Sequence, residues 1–247
     1  MKHPPQHSKS GYPALTRRGL LQGAAIAPMM FAGTIGAAAA AELATPKAFS
    51  RIHERKPLGF DASKLRGLSM QLIESHWANN YGGSVRTLNA VQSQLASLLG
   101  GSDVPNYLYN GLKREHLMRT GSVILHELYF DNLGGSGHAG ADLRTRIAAD
   151  FGSFDACIDE FRRISLGLGG GSGWVVLAWN HHFGMLENYW MADHMHYPAG
   201  SEPLLVIDLY EHSYQMDYGA ATARYVDAFL DNVNWEVVQA RYERAVA

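Results

Sequence analysis

Two long helical patterns fill the first half of the chain. Between residues 63 and about 99, apolar residues recur at helical spacing in two successive stripes. Tyr81-Gly82-Gly83 interrupts this pattern and indicates either a kink between two helices or a bend within one. A second helix is predicted over residues 113–129. Together the two patterns predict a helical hairpin domain over residues 58–133.

Short strands and helices alternate in the second half, after a glycine-rich joint at 132–140. Three apolar runs are predicted to be strands: 174–179, 185–191 and 204–208. Helices are predicted at 141–149, after the capping residue Ser153, at 218–230 and at 233–244. This order predicts an α+β fold, in which the N-terminal helical hairpin precedes a C-terminal α/β domain over 141–247 with a small three-stranded antiparallel sheet.

The first 41 residues have the pattern of an export signal. They contain four basic residues and no acidic one, and an alanine-rich apolar stretch follows. Thr16-Arg17-Arg18-Gly19-Leu20-Leu21 resembles a twin-arginine signal. We therefore expect 1–41 to be a signal peptide, 42–57 to be a tether, and the twin-arginine machinery to export the protein to the periplasm. A membrane anchor is the alternative, although the stretch is weakly apolar for a permanent span.

Net charge and cysteine content limit the partners and the metal ligands that this chain can have. Without the leader the chain keeps 17 of its 21 Lys+Arg and all 23 Asp+Glu, a formal net charge of −6. A nucleic-acid partner is not expected, because its recognition needs a basic face. Cys157 is the only cysteine, so oxygen and nitrogen ligands must bind any metal.

Asp208 and His212 are the strongest candidate ligands. An apolar run ends at Asp208, and the imidazole of His212 follows four residues later. His76 and His126 each interrupt a helical apolar pattern, where an unpaired imidazole is costly to bury. Each alone is more simply a core histidine bonded to a backbone carbonyl. Three imidazoles and one carboxylate together are a ligand set for iron or manganese.

Several motifs carry a resemblance to a known family. The strongest are Leu204-Leu205-Val206-Ile207-Asp208-Leu209-Tyr210-Glu211-His212 and Asn232-Val233-Asn234-Trp235-Glu236, supported by Gly171-Ser172-Gly173-Trp174, Phe151-Gly152-Ser153-Phe154 and the step from His126 to Tyr129. In order and spacing the chain resembles an iron/manganese superoxide dismutase along nearly all of its mature length.

The resemblance implies a site, a substrate and an assembly. His76, His126, Asp208 and His212 match the four metal ligands, with one iron or manganese ion per subunit and superoxide as substrate. It implies that Glu211 crosses a two-fold interface to the His212 of a second subunit, in a homodimer or a dimer of dimers. A solvated glutamate at a helix start is the simpler alternative for Glu211.

The surroundings of the site depart from the family pattern. Asn80, Ser84 and Gln215 stand where the family has histidine, tyrosine and tyrosine. The resemblance implies that the residues at positions 80 and 215 bond each other across the dimer, and an Asn80–Gln215 amide pair is one way to restore that bond. His194 is the candidate for the group that bonds the solvent ligand, with His196 as the competing choice.

The aromatic lining changes at two positions. Phe130 and Tyr210 replace tryptophans that are usual in the family, whereas Trp174 and Tyr129 match it. The altered entrance leaves open a dismutase-fold periplasmic metal-binding or redox protein with little activity. A zinc hydrolase is a third hypothesis, which lacks an obvious general base. The sequence leaves the choice between iron and manganese open.

Overall fold

One wide turn interrupts the first long helix. The computed structural model describes residues 47–101 and 103–247, and the predicted leader lies outside them. Helix α1 (Met70–Ser75) runs into a π-helical turn (His76–Tyr81) and then into α2 (Gly82–Leu98). The break predicted near Tyr81 is therefore a bend in a continuous helix. A π turn holds one more residue than an α turn, so it re-aims the side chains around it.

The first helix begins later than its apolar pattern predicts. Residues 62–64 form a separate 3-10 turn, and Asp61 accepts a hydrogen bond from the Ser63 backbone N–H at its start. Gly67 then takes a positive φ of 72°, a conformation that ends helical geometry. Ser69 caps α1 by accepting a hydrogen bond from the Leu72 N–H. The predicted start at 63 is therefore wrong by seven residues.

Helix α3 (Asn106–Asp131) completes the hairpin and ties it to the sheet. It is longer than the predicted 113–129, because helical geometry begins directly after Pro105, at Asn106. Asn132, at its C-terminal end, accepts a hydrogen bond from Val206 N at 3.0 Å and donates one to Leu204 O at 3.3 Å. One buried amide thus connects the hairpin to the third strand.

The predicted three-stranded antiparallel sheet is confirmed. Strands β1 (Trp174–Asn180), β2 (Met185–Met191) and β3 (Ser201–Asp208) pair in the order β2-β1-β3. Helices α4 (Ala141–Phe151) and α5 (Phe154–Gly167) precede the sheet, and Ser153 caps α5 as predicted. The buried central strand β1 reads as a continuous apolar run, as expected for a strand covered on both faces.

The first of the two predicted C-terminal helices is divided in the structure. Helix α6 (Gln215–Tyr218) and helix α7 (Thr222–Asp231) replace the single helix expected at 218–230. Gly219 separates them with a φ of 52°, which a glycine adopts without strain. Helix α8 (Trp235–Val246) packs against β3 and ends the chain. No helix among the described residues is both long and apolar enough to cross a membrane.

Residues 50–57 lack regular secondary structure and lie along the hairpin. The Asn89 side chain bonds both the N–H and the C=O of His53, at 2.9 Å each. Lys56 N donates to the Tyr81 hydroxyl at 2.9 Å, and the Lys56 carbonyl accepts from the Trp77 indole at 2.8 Å. These bonds hold the segment beside the helix that carries His76.

Arg241 is a buried cation that joins α8, α3 and β3. Its guanidinium donates to Leu204 O at 2.8 Å and to the Asn132 Oδ1 at 3.2 Å, and it lies 3.4 Å from the Asp131 carboxylate. Removing a buried, charge-assisted donor leaves acceptors without partners. We expect Arg241→Met to destabilise the fold by about 2–3 kcal/mol, measured as a lower melting temperature.

A matched control lies on the same helix. Arg244 is exposed on α8, so Arg244→Met makes the same chemical change outside the core. Its effect should stay within about 0.5 kcal/mol. Equal destabilisation by the two variants would contradict the role assigned to Arg241.

Candidate metal centre

Four separate elements bring the predicted ligands to one point. His76 opens the π turn, and His126 lies on α3. Asp208 ends β3, and His212 lies in the 3-10 turn Glu211–Ser213 that follows. One ligand atom from each residue lies within 4.8 Å of all the others. This spacing is suited to a single ion bound at the centre of the four.

The Asp208 carboxylate is the hub of this cluster. Its Oδ2 lies 3.1 Å from His76 Nε2, 3.2 Å from His212 Nε2 and 3.6 Å from His126 Nε2. Burial alone would raise the pKa of Asp208, but the adjacent His212 and His76 imidazoles outweigh it and hold the pKa far below its usual range. Asp208 is therefore an anion, as a ligand to a cation must be.

Hydrogen bonds to the backbone around Asp208 fix its position. Tyr210 N donates to the Asp208 Oδ1 at 2.9 Å. The hydroxyls of Ser213 and Tyr225 both donate to the Asp208 carbonyl, each at 2.8 Å. These bonds leave Oδ2 directed at the imidazoles. Tyr225 was not among the sequence candidates, because nothing in the pattern of α7 sets it apart from an ordinary buried aromatic residue.

The buried imidazoles have unused nitrogen atoms where a metal would bind. His126 Nδ1 donates to Ser122 O at 2.7 Å, so Nε2 carries the lone pair. His126 Nε2 and His76 Nδ1 have no hydrogen-bond partner among the residues described, and His76 Nε2 has only the Asp208 carboxylate at 3.1 Å, without hydrogen-bond geometry. Burial lowers the pKa of His126 to about 3, so this ring is neutral. Neutral imidazoles and one carboxylate fit iron, manganese or zinc.

Aromatic rings enclose the cluster. Tyr129 and Phe130 lie with their ring centres 5.1 and 5.0 Å from that of His76. Trp174 lies 5.2 Å from His126, and Tyr210 lies 5.4 Å from His212. Burial raises the pKa of Tyr210 to about 12 and that of Tyr129 further. Both phenols therefore keep their protons and make a low-dielectric, neutral wall around the site.

A cavity of about 280 Å³ opens onto the ligands from one side. It is lined by ten residues, among them the altered positions Asn80 and Ser84, the loop histidine His194, and the ligands His126 and His212. Ser84 Oγ lies 2.8 Å from the Ser122 hydroxyl, which lies 3.3 Å from His126 Nδ1. Two small hydroxyl groups thus occupy the space beside the His126 ring.

The two loop histidines, His194 and His196, have different environments. His194 lines the cavity, whereas His196 is exposed and bonds the Asp193 carboxylate at 2.8 Å. The Trp174 indole N–H donates to His194 Nδ1 at 2.9 Å. An indole nitrogen only donates, so Nδ1 must accept and Nε2 carries the ring proton. His194 therefore presents a hydrogen-bond donor within the cavity.

The sequence offered no sign of the close approach that places His194. A Cβ added to Gly121 on α3 would lie 1.8 Å from the carbonyl oxygen of His194. The missing side chain lets the loop after β2 lie directly on the helix. Gly121 is five residues before His126, about 140° around an ideal helix, so helical periodicity does not place the two on one face.

Glu211 and Gln215 lie together on the surface beside the cluster. Both are exposed, and both line a shallow depression with Tyr214 and the 219–223 segment. The Nδ1 of His212 has no hydrogen-bond partner among the described residues. Asn80 lines the cavity and Gln215 lines the separate depression, and no hydrogen bond joins the two side chains among the described residues.

All the comparisons with known proteins indicate similarity to iron/manganese superoxide dismutases. Residues 139–241 match the family model for iron/manganese superoxide dismutases, C-terminal domain. The chain is 50% identical over 195 residues to an iron superoxide dismutase of Cupriavidus metallidurans, covering 79% of this chain and 98% of that protein. An iron superoxide dismutase of Aquifex pyrophilus is 36% identical over 203 residues, covering 79% and 94%. A manganese superoxide dismutase of Haloferax volcanii is 33% identical over 199 residues, covering 78% and 97%.

Proposed function

This chain belongs to the iron/manganese superoxide dismutase family, and from that premise we propose that it is an exported, iron-using dismutase that works as a dimer. It converts superoxide to dioxygen and hydrogen peroxide. The single observation that carries the activity is the cluster of three imidazoles, two of them buried, whose ligand atoms lie within 4.8 Å of one another and of the buried Asp208 carboxylate.

The chain's own residues prepare the site for this chemistry. When bound, iron or manganese supplies a centre that accepts an electron from one superoxide and returns it to another. The Ser122 carbonyl fixes the His126 tautomer, so that Nε2 faces the ligand cluster. His194 holds a proton at Nε2, and the indole of Trp174 keeps that ring in place. Peroxide formation consumes protons, and His194 supplies a donor beside the ligands.

Iron is the proposed metal. The relatives with the higher identities, 50% and 36%, are iron enzymes, and the manganese relative is 33% identical. Elemental analysis of protein purified from its own compartment, together with the superoxide dismutation rate per metal ion, tests both metal and activity. A predominance of manganese would overturn the choice of iron. A rate no higher than that of free metal would overturn the activity.

Glu211 supports the proposed dimer. It is exposed beside His212, whose Nδ1 is unpartnered among the described residues. A carboxylate from a second copy would satisfy this nitrogen and orient the ligand. We expect Glu211→Ala to weaken dimerisation at least about tenfold, because it removes a charge-assisted bond at both symmetric contacts. Sedimentation equilibrium over a range of protein concentrations measures this change.

A control separates the contact from a general loss of surface charge. Glu243 is exposed on α8, so Glu243→Ala alters the net charge equally. It should leave the association constant unchanged. A Glu211→Ala variant that dimerises like the parent would remove this residue from the interface.

Export to the periplasm is proposed from the leader alone. Arg17 and Arg18 precede an alanine-rich apolar stretch, which is the arrangement of a twin-arginine signal. Replacing both arginines by lysine should retain the protein in the cytoplasm with its leader attached. N-terminal sequencing of the mature protein tests the cleavage site expected at 39–41. Continued export of the double-lysine variant would contradict this route.

A further inference from the structure

One permanent positive charge lines the cavity above the metal ligands. Among the described residues that form its wall, Arg119 is the only side chain that is charged at every physiological pH. The other polar lining groups are amides, hydroxyls and imidazoles. Superoxide is an anion, and the chain without its leader carries a formal net charge of −6. Attraction into this cavity must therefore come from local positive charge, which the metal, when bound, and Arg119 supply.

Arg119 lies on the cavity face of α3. Arg119, Ser122 and His126 are three and four residues apart, so they share one side of the helix. The Arg119 side chain is 31% exposed. A charge at this depth lies between the solvent and the ligands, where low-dielectric walls screen it less than they would on an open surface.

Glu115 modulates this charge. Arg119 Nε donates to the Glu115 carboxylate at 2.7 Å. The two terminal nitrogens of the guanidinium have no partner among the described residues. Glu115 is not among the residues that line the cavity, so its negative charge offsets part of the arginine field without occupying the cavity.

We propose that Arg119 draws the anionic substrate into the cavity and that Glu115 sets the strength of that attraction. This inference rests on the proposed dismutase function, since it names the residue that steers the substrate of the same site. Arg119 acts here before the reaction, as a steering residue. The simpler alternative is a surface ion pair of the i, i+4 type, which would stabilise α3 by about 0.3–0.5 kcal/mol.

The ion-pair and steering interpretations predict different rates for the Glu115→Gln variant. If the pair is only structural, Arg119→Gln and Glu115→Gln change stability slightly and leave the rate alone. If Arg119 steers, Arg119→Gln lowers the second-order rate constant about three- to tenfold at low ionic strength. Glu115→Gln then raises it, because the arginine charge is no longer offset. Arg119→Lys should keep most of the parent rate, since the charge remains.

A matched control changes the same charge elsewhere. Arg144 lies on α4 and faces the Asp155 carboxylate at 3.7 Å, away from the cavity lining. Arg144→Gln should leave the rate close to that of the parent. The readout is the slope of the rate constant against ionic strength, which should flatten in Arg119→Gln and steepen in Glu115→Gln. Equal slopes in Arg119→Gln, Arg144→Gln and the parent would overturn the proposal.

Azide gives a readout that does not depend on turnover. Titration of the metal-loaded protein with this small anion, followed by visible absorbance, should show weaker binding in Arg119→Gln and tighter binding in Glu115→Gln. If the parent lacks dismutase activity but azide follows this order, the dismutase function fails and the anion attraction stands. If the parent is active and azide binds all variants alike, Arg119 has no steering role.

Discussion

Asp208→Asn should remove the bound metal and the dismutase activity while leaving the fold in place. The substitution keeps the shape of the side chain but removes the one negative charge among the four ligands. We expect metal affinity to fall at least about 100-fold, beyond the 10–100-fold that follows loss of a residue bonded to a ligand. Metal content after dialysis and the dismutation rate of the same sample measure the effect.

The metal-free protein distinguishes this loss from unfolding. Asp208 is fully buried, and asparagine has the same shape, so the change opens no cavity, but it removes the carboxylate that bonds His212 and lies beside His76. The melting temperature of metal-free Asp208→Asn should therefore fall by no more than about 10 °C from the metal-free parent, with cooperative unfolding retained. Asp227→Asn, at an exposed pair with Arg162, is the control that should retain metal. A variant that retains metal and activity would remove Asp208 from the ligand set.

Three of the four candidate ligands were conspicuous in the sequence because each one breaks a local rule. His76 and His126 interrupt apolar helical stripes, and Asp208 ends an apolar strand. A polar group at a core position needs a partner, so the sequence itself indicates that these side chains belong together. The fold class followed in the same way, because helical and strand periodicities differ and all three strand patterns fall in the second half of the chain.

The surroundings of the ligands were less predictable because they depend on contacts between distant segments. Ser84 and Ser122 bond each other across α2 and α3, and neither is conspicuous within its own helix. The sequence also left His194 and His196 as alternatives. The Trp174 indole, at the start of β1, bonds His194 and distinguishes it from His196. The spacing of apolar residues predicts which face of an element is buried. It does not predict which distant residue each side chain on that face contacts.

Gly121→Ala should disable the enzyme although the change adds only one methyl group. That methyl would lie 1.8 Å from the His194 carbonyl oxygen, about half the usual contact distance between heavy atoms. Because the contact is with backbone, the loop must move away from α3 by more than about 1 Å. A shift of that size at a reacting group can cost about 100-fold in rate. We expect a loss of about 10- to 100-fold in the dismutation rate constant, with metal content retained.

A second glycine on the same helix provides the control. Gly111 is also within α3, and a Cβ there would meet nothing within 4 Å. Gly111→Ala should keep full activity and gain about 0.5–1 kcal/mol, since alanine is the better helix former. Gly121→Ala should also have little further effect in a His194→Ala background, because both changes act on one group. If Gly121→Ala kept the parent rate, or if its loss simply added to that of His194→Ala, the close approach would not position His194. With the predicted results, a residue that never touches the ligands would control the proton donor beside them, by having no side chain.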